Sequence, residues 1–187
     1  MAARVRPMPS KIPDDARPSA VLSLLFPKDN ELHLLLIRRY ADGRAHSGQI
    51  GFPGGKHEKT DADMKATALR EANEEVGILS ADVEIIGALS PLYIPVSNFN
   101  VYPFVGFAGR QLEYNISAAE VDSVFEIPVN YLMQQDNKTV TDVTSPAIPN
   151  LVLKNVNAYK MPDGSILWGA TAMMISELET ILEEYAF

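Results

Sequence analysis

Residues Gly54–Ile78 read GGKHEKTDADMKATALREANEEVGI, in which a glycine pair leads into a segment rich in acidic side chains. Glu71, Glu74 and Glu75 stand at offsets of zero, three and four residues. On a helix these offsets bring the three side chains within an arc of about 100°, on one face. The opposite face carries the small and apolar side chains of Ala62, Ala66, Leu69, Ala72 and Val76. The stretch therefore predicts a helix with one acidic and one apolar face.

Local signals indicate where this helix begins and ends. Thr60 followed by Asp63 has the T-x-x-D form of a capping box, so the helix is predicted to begin near Asp61. Gly77 is the predicted end, because glycine accepts the left-handed conformation that follows a helix. The Gly54-Gly55 pair is predicted to form a turn in which the backbone makes a closer approach than a side chain would permit.

The acidic face has two interpretations. Like charges three or four residues apart on an exposed helix cost only a few tenths of a kcal/mol per pair, roughly, so the face can simply be solvated. In a cleft, carboxylates about 6 Å apart repel by roughly 3 kcal/mol at an effective dielectric of about 20, and a divalent cation is then needed. Ligands that are all oxygen favour Mg²⁺ or Mn²⁺ over zinc. The helix alone leaves both interpretations open.

Composition narrows the class of protein. With 187 residues, of which 47% are hydrophobic and 21% charged, the chain suits one compact domain. It has no cysteine, which excludes disulfide frameworks, thiolate metal sites and catalytic thiols. Its net charge of −8 argues against general nucleic-acid binding, which depends on a basic surface. No stretch resembles a signal peptide or approaches the roughly 18 apolar residues of a membrane helix, so a cytoplasmic protein is expected.

The order of apolar runs predicts a mixed sheet with one helix in mid-chain and another at the end. Residues 1–18 contain four prolines and no periodicity, so we expect an N-terminal arm before a single domain over residues 19–187. The first two strands are close enough to form a hairpin. The predicted strands are Ser19–Phe26, Glu31–Arg39, Gly48–Pro53, Val83–Ile94, Asn100–Ala108, Glu120–Pro128, Thr139–Val143, Leu151–Val156 and Ala158–Met161. One or two helical turns are expected at Val129–Gln134, and a C-terminal helix ends near Tyr185.

The stretch from Gly55 to Ile78 resembles the Nudix box, G-x5-E-x7-R-E-U-x-E-E-x-G-U, where U is apolar. Residues 70–78, REANEEVGI, match its second half at every position. The first half departs from the pattern, since Asp61 stands in place of glutamate and eight residues rather than seven separate it from Arg70. The resemblance implies an α/β (α+β) fold, namely a Nudix-type α/β/α sandwich with a mixed β-sheet, the Nudix loop and helix in mid-chain and a C-terminal helix.

A second pattern, upstream of the box, resembles the coenzyme A pyrophosphatase branch of the Nudix hydrolases, L-L-T-x-R-[SA]-x3-R-x3-G-x3-F-P-G-G. Residues 35–40, LLIRRY, are followed by Arg44, Gly48 and Phe52-Pro53-Gly54-Gly55 at these spacings. Ile37 replaces the threonine and Tyr40 replaces the small residue. The same branch tends to have the extra residue within the box, and residues 120–128 and 167–172 also look like that branch.

The resemblance implies metal-dependent hydrolysis of a diphosphate bond joined to a nucleoside. Mg²⁺ or Mn²⁺ is the expected cofactor. The implied metal ligands are Glu71, Glu75, Glu74 and the backbone carbonyl of Gly55. The expected catalytic residues are Glu74, Glu75, Arg70 and Glu120. Arg70 can hold a carboxylate in place, and Glu74 or a loop glutamate such as Glu120 or Glu113 can act as the general base.

The expected substrate contacts lie upstream of the acidic helix. Arg39, Arg44 and Gly54 are predicted to bind the substrate, the arginines through bidentate contacts with phosphate groups. The rings of Phe52 and Tyr93 can stack on adenine, although packing in the core is their expected role.

Three functions compete. The leading hypothesis is a coenzyme A diphosphatase that yields adenosine 3′,5′-bisphosphate and 4′-phosphopantetheine. The alternatives are a broader pyrophosphatase acting on ADP-ribose, NADH or nucleoside diphosphate sugars, and a non-catalytic nucleotide-binding Nudix module. The expected partner in each case is a small nucleotide diphosphate, with no nucleic acid and no membrane, and a homodimer is compatible with the implied fold.

Overall fold

A long β-hairpin at the start of the chain forms the centre of the main sheet. In the computed structural model, which describes residues 12–43, 46–144 and 151–185, β1 (Arg17–Lys28) pairs antiparallel with β2 (Glu31–Arg39). The two residues between them, Asp29 and Asn30, have φ of 51° and 61°, as two-residue hairpin turns require. The predicted hairpin is confirmed, with a turn shorter than predicted because β1 continues through Pro27 and Lys28.

Two sheets follow from the remaining elements. Among the described residues, strands β1–β8 form one mixed sheet, and β9–β11 form a separate antiparallel sheet. In chain order the further elements are β3 (Ile50–Gly51), β4 (Gly54–Lys56), α1 (Met64–Val76), β5 (Glu84–Ala88), β6 (Leu92–Ile94), β7 (Phe99–Phe107), β8 (Val121–Pro128), α2 (Val129–Met133), β9 (Lys138–Thr144), β10 (Val152–Lys160), β11 (Ile166–Trp168) and α3 (Ala170–Tyr185). Strand β1 pairs in parallel with β7 and antiparallel with β4. Two strands from the middle of the chain therefore lie beside a strand from its first part.

The main sheet separates two layers of helix. Alternate residues of β2 point to opposite faces, so Leu35 and Ile37 pack with α1, whereas Leu34 and Leu36 pack with α3. Because both faces are covered, the strands read as nearly continuous apolar runs. The α/β/α sandwich with a mixed sheet and a C-terminal helix is therefore confirmed. Within the described residues, no helix is long and apolar enough to cross a membrane.

Helix α1 begins three residues later than predicted. Asp63 is itself the N-cap, and its Oδ1 accepts a hydrogen bond from the backbone N–H of Ala66 at 2.7 Å. Aspartate is at least as good an N-cap as threonine, so the capping box predicted from Thr60 does not form. Ala62 consequently precedes the helix and is exposed. Gly77, with φ of 78°, ends the helix as predicted.

Other predicted boundaries also shift. The predicted strand Val83–Ile94 is divided into β5 and β6, and the break lies opposite Pro103 of β7, which has no N–H to donate. The two segments predicted between residues 151 and 161 form the single strand β10, with an irregular register between Leu153 and Val156. β1 begins at Arg17, within the predicted N-terminal arm.

Candidate active site

The glycine pair Gly54-Gly55 lies in strand β4 rather than in the predicted turn, and both glycines permit close contacts. Gly54 has φ of 153°, and a Cβ atom there would lie 2.3 Å from the carbonyl oxygen of Ala20 on β1. A Cβ atom on Gly55 would lie 2.5 Å from the carboxylate atoms of Glu71. The predicted close approach is thus confirmed. It brings β4 against β1 on one side and the acidic helix against β4 on the other.

Glu75 is the buried carboxylate of this site. Its side chain is only 3% exposed, and it faces β4 from helix α1. Its Oε2 accepts the backbone N–H of Gly54 at 2.9 Å, and its Oε1 accepts a hydrogen bond from Nη1 of Arg39 at 2.9 Å. Arg39 also donates to the carbonyl oxygen of Gly54. These three residues, one from the upstream motif and two from the glycine–helix stretch, form a closed set of hydrogen bonds.

Burial changes the acidity of two glutamates in the site. It raises the pKa of Glu75 to about 7, although Arg39 and the N–H of Gly54 favour the charged form. The charges of Glu71 and Glu120 raise it further. Burial also raises the pKa of Glu71, a half-buried side chain whose carboxylate lies against Gly55 and 3.0 Å from Arg70.

Arg70 connects the loop before α1 to the helix itself. Its Nε donates to Oδ1 of Asp61 at 2.8 Å, and its Nη1 donates to Oε2 of Glu74 at 2.7 Å. A further N–H reaches the carbonyl oxygen of Lys56 at 3.0 Å. Hydrogen bonding by Arg70 holds the pKa of Asp61 far below its usual range. Asp61 is thus the buried partner of Arg70, whereas Glu74 is an exposed one.

The three glutamates predicted from helical spacing therefore have different environments. Glu75 is buried, Glu71 is half-buried and Glu74 is exposed, so the predicted single acidic face divides into an inner and an outer part. Among the described residues, no group of three histidine, cysteine, aspartate or glutamate side chains is arranged as a metal site. The acidic groups are paired with Arg39 and Arg70 instead.

The remaining predicted site residues lie around this centre. Glu120 is exposed just before β8, where its backbone carbonyl accepts the N–H of Tyr40 at 2.8 Å, and its charge acts on Glu75. Glu113 is in a separate groove at the C-terminal end of α1, beside Gly77. Arg44 lies outside the described residues. Tyr93 is buried, as expected of a core residue, and its hydroxyl donates to Asn98 at 2.8 Å.

A cavity of about 430 Å³ opens beside Gly54, Gly55 and Arg39. Its walls combine the main sheet with the second sheet and the start of α3. The apolar side chains of the wall are Val21, Ile50, Phe52, Ile94, Val96, Phe99, Val101, Leu151, Leu153, Trp168, Ala170 and Met174. Of these residues the sequence marks only Phe52, as a ring that can stack on adenine, with core packing as its expected role; Phe52 is a core residue that also lines the cavity. The other residues come from segments far apart in the chain, and no local pattern marks them.

The raised pKa of Glu75 predicts a dependence of stability on pH. Between pH 4.5, its ordinary pKa, and about 7, the folded protein retains a proton that the unfolded chain releases. The unfolding free energy of the metal-free protein should therefore fall as pH rises through this window, by an amount of the order of 3 kcal/mol. Urea unfolding of the wild type and of Glu75→Gln, measured from pH 4.5 to 8, isolates this contribution as the difference between the two curves.

The pH range of the effect distinguishes Glu75 from Asp61, because the shifted pKa of Asp61 changes the unfolding free energy in the opposite direction. The lowered pKa of Asp61 contributes stability that is lost only as pH falls below its ordinary value of 3.8. A difference between wild type and Glu75→Gln that stays constant from pH 4.5 to 8 would show that burial does not raise the pKa of Glu75.

Fold and site together define an α/β/α protein in which an acidic helix and two arginines converge on a glycine-rich strand. The model of the NUDIX domain matches residues 16–143, and the chain belongs to the Nudix hydrolase family. It is 37% identical over 174 residues to the uncharacterized Nudix hydrolase NudL of Enterobacter sp. (strain 638). The matched segment covers 93% of this chain and 87% of NudL. Nudix hydrolases act on nucleotide diphosphates and generally need divalent metal ions.

Solved structures agree on the fold. A MutT/nudix family protein from Enterococcus faecalis superimposes with a TM-score of 0.57 at 14% identity, over 91% of this chain and 63% of that protein. The Ap4A hydrolase of C. elegans, in a binary complex, gives a TM-score of 0.51 at 17% identity, over 60% of this chain and 80% of that one.

Proposed function

We propose that the chain hydrolyses the diphosphate bond of coenzyme A or its thioesters, giving adenosine 3′,5′-bisphosphate and 4′-phosphopantetheine. One observation carries the proposal: Arg39, from the upstream pattern typical of the coenzyme A branch, contacts both Glu75 and Gly54. The two motifs are thus parts of one site. A cavity of about 430 Å³ next to them is large enough for part of a small-molecule substrate.

The donors of the site fit a hard divalent cation. Glu71 and Glu75 are one helical turn apart, and both carboxylates lie against the backbone of the Gly54-Gly55 strand. Carboxylate and carbonyl oxygens are the ligands that Mg²⁺ and Mn²⁺ prefer. We therefore assign Glu71, Glu75 and the carbonyl of Gly55 as the ligands, with Glu74 available to a second ion. A cation held there would neutralise charge on the phosphoryl oxygens and would lower the pKa of the attacking water.

The protein's own residues position the substrate and take up a proton. Arg39 donates a hydrogen bond to Glu75 at 2.9 Å, and its N–H groups can instead donate to a substrate phosphate. Arg44 and Gly54 complete the proposed substrate contacts. Arg70 fixes Glu74 at the rim of the site. Water attacks phosphorus as the bridging P–O bond breaks, and Glu74 or Glu120 accepts the proton of the water while the departing phosphate takes the bond electrons. We place this reaction in the cytoplasm.

A substrate panel tests the proposed activity. The protein, with Mg²⁺ or Mn²⁺, is incubated with coenzyme A, acetyl-coenzyme A, ADP-ribose, NADH and nucleoside triphosphates, and the products are separated by chromatography. We expect coenzyme A and its thioester to be cleaved with the highest kcat/KM. Faster cleavage of ADP-ribose or NADH would instead support the broader pyrophosphatase. Turnover of none, with nucleotide binding retained, would support the non-catalytic module.

A further inference from the structure

We propose that the cavity beside Gly54 and Gly55 receives the uncharged half of the substrate, the pantetheine arm with its acyl group, and that His46 hydrogen-bonds this arm. The inference rests on the proposed coenzyme A activity and specifies which half of that molecule enters the cavity.

The chemistry of the lining favours an uncharged group. Among the described residues that line the cavity, Arg39 is the one arginine or lysine, and the proposed reaction already assigns it to the diphosphate group. The other half of coenzyme A carries a 3′-phosphate on its ribose. Burying that phosphate against side chains such as Val96, Phe99 and Leu153 would remove its hydration without supplying a cation. A pantetheine arm with an acyl chain has no such charge.

His46 supplies a polar atom that lacks a partner. Its Nδ1 lies 2.8 Å from Oε1 of Gln49, and in the tautomer that donates to this oxygen Nε2 is an acceptor. Nε2 is buried and has no hydrogen-bond partner among the described residues, and His46 is one of the residues around the cavity. A buried acceptor without a donor is costly. An amide N–H of a pantetheine arm can satisfy it once the ring of His46 turns toward the cavity, whereas the 3′-phosphate of the other half has only acceptors when it is fully ionised.

The position of the far wall in the chain also fits a role in specificity. The segment shared with the NUDIX domain ends at residue 143. Leu151, Leu153, Trp168 and Met174 line the cavity from beyond that residue. This wall is therefore formed outside the segment that matches the whole family, whereas Glu71 and Glu75 lie within it.

Trp168 provides a direct test, because it is the only tryptophan in the chain and it lines the cavity. Its fluorescence is followed while the full-length, metal-free protein is titrated with S-decanoyl-pantetheine or, separately, with adenosine 3′,5′-bisphosphate. We expect a saturable blue shift with the acylated arm, because Trp168 loses contact with water, and no shift with the nucleotide. A shift with the nucleotide alone, or with neither compound, overturns the inference.

A matched pair of variants locates the binding. Leu153→Gln places a polar group in the cavity wall, and we expect it to weaken binding of S-decanoyl-pantetheine about tenfold. Val152→Gln is the control, because Val152 is the preceding residue of β10, is 47% exposed and is not part of the lining. His46→Ala should weaken the same binding through the lost acceptor. Unchanged affinity in both Leu153→Gln and His46→Ala, with fold verified by circular dichroism, overturns the inference.

The titration separates this inference from the proposed reaction, since it requires no hydrolysis. Cleavage of coenzyme A without a shift from S-decanoyl-pantetheine supports the reaction and overturns the cavity assignment. A saturable shift without cleavage of coenzyme A supports binding of the acylated arm and overturns the reaction.

Discussion

Glu75→Gln is expected to lower the turnover of coenzyme A by several orders of magnitude while the protein remains folded. The substitution removes the negative charge of the most buried carboxylate in the site, which we assign as a metal ligand. The glutamine oxygen can still accept the N–H of Gly54, so the contact between α1 and β4 is retained. The kcat of purified wild type and variant, with thermal unfolding of both, measures the two effects separately.

Glu179→Gln is the matched control for this substitution. Glu179 is also buried, at 5% exposure, but it lies on α3, where it accepts hydrogen bonds from Lys138 and Tyr159 rather than from the site. Its replacement should change stability and leave kcat within a few-fold of the wild type. Near-normal turnover in Glu75→Gln would refute the metal role assigned to Glu75.

Gly54→Ala is expected to cause the largest loss of stability, about 3 kcal/mol. The new Cβ would lie 2.3 Å from the carbonyl oxygen of Ala20 and 2.6 Å from Cα of Val21, which are backbone atoms of the central strand. Neither can move without breaking the pairing of β1 with β4. The φ of 153° is also one that side chains rarely permit. Calorimetry should show a fall in the thermal midpoint of roughly 10 °C.

Gly55→Ala, one residue later, separates backbone crowding from crowding of the site. Its Cβ would meet the carboxylate of Glu71 at 2.5 Å, and this side-chain end can rotate away. We therefore expect stability near that of the wild type together with a large loss of activity, because Glu71 leaves its position. If both alanine variants unfold at the wild-type temperature, the close approach of β4 to β1 is not a requirement of the fold.

Local periodicity predicted much of the helix and the hairpin. The spacing of Glu71, Glu74 and Glu75 requires only that the segment be helical, so their common face could be predicted from sequence. Their different burial could not, because it depends on Gly54 and on Arg39, which approach from elsewhere in the chain. The predicted start of α1 was wrong because Thr60 and Asp63 can both cap a helix, and the sequence alone does not show which of them does.

The cavity illustrates the same limit at longer range. Trp168 and Leu153 line it together with Phe99, yet these residues belong to different sheets and only tertiary packing brings them together. The pairing of Arg39 with Glu75 is likewise a contact between residues far apart in sequence.

Asp61 contacts Arg70 although the stretch departs from the family pattern at this point. Aspartate is one methylene shorter than glutamate, and one more residue separates it from Arg70 than in the pattern. The carboxylate nevertheless reaches Nε of Arg70 at 2.8 Å. The sequence departure therefore does not leave Asp61 without a role, because its buried carboxylate is the partner of Arg70.

The separation of the two sheets has an evolutionary consequence. Glu71 and Glu75 depend on packing between α1 and the main sheet, whereas the far wall of the cavity comes from β10, β11 and α3. Substitutions of Leu153 or Trp168 can therefore change the wall of the cavity while the acidic centre is retained. Proteins that descend from this chain can thus change their substrate preference while the residues of the acidic centre stay unchanged.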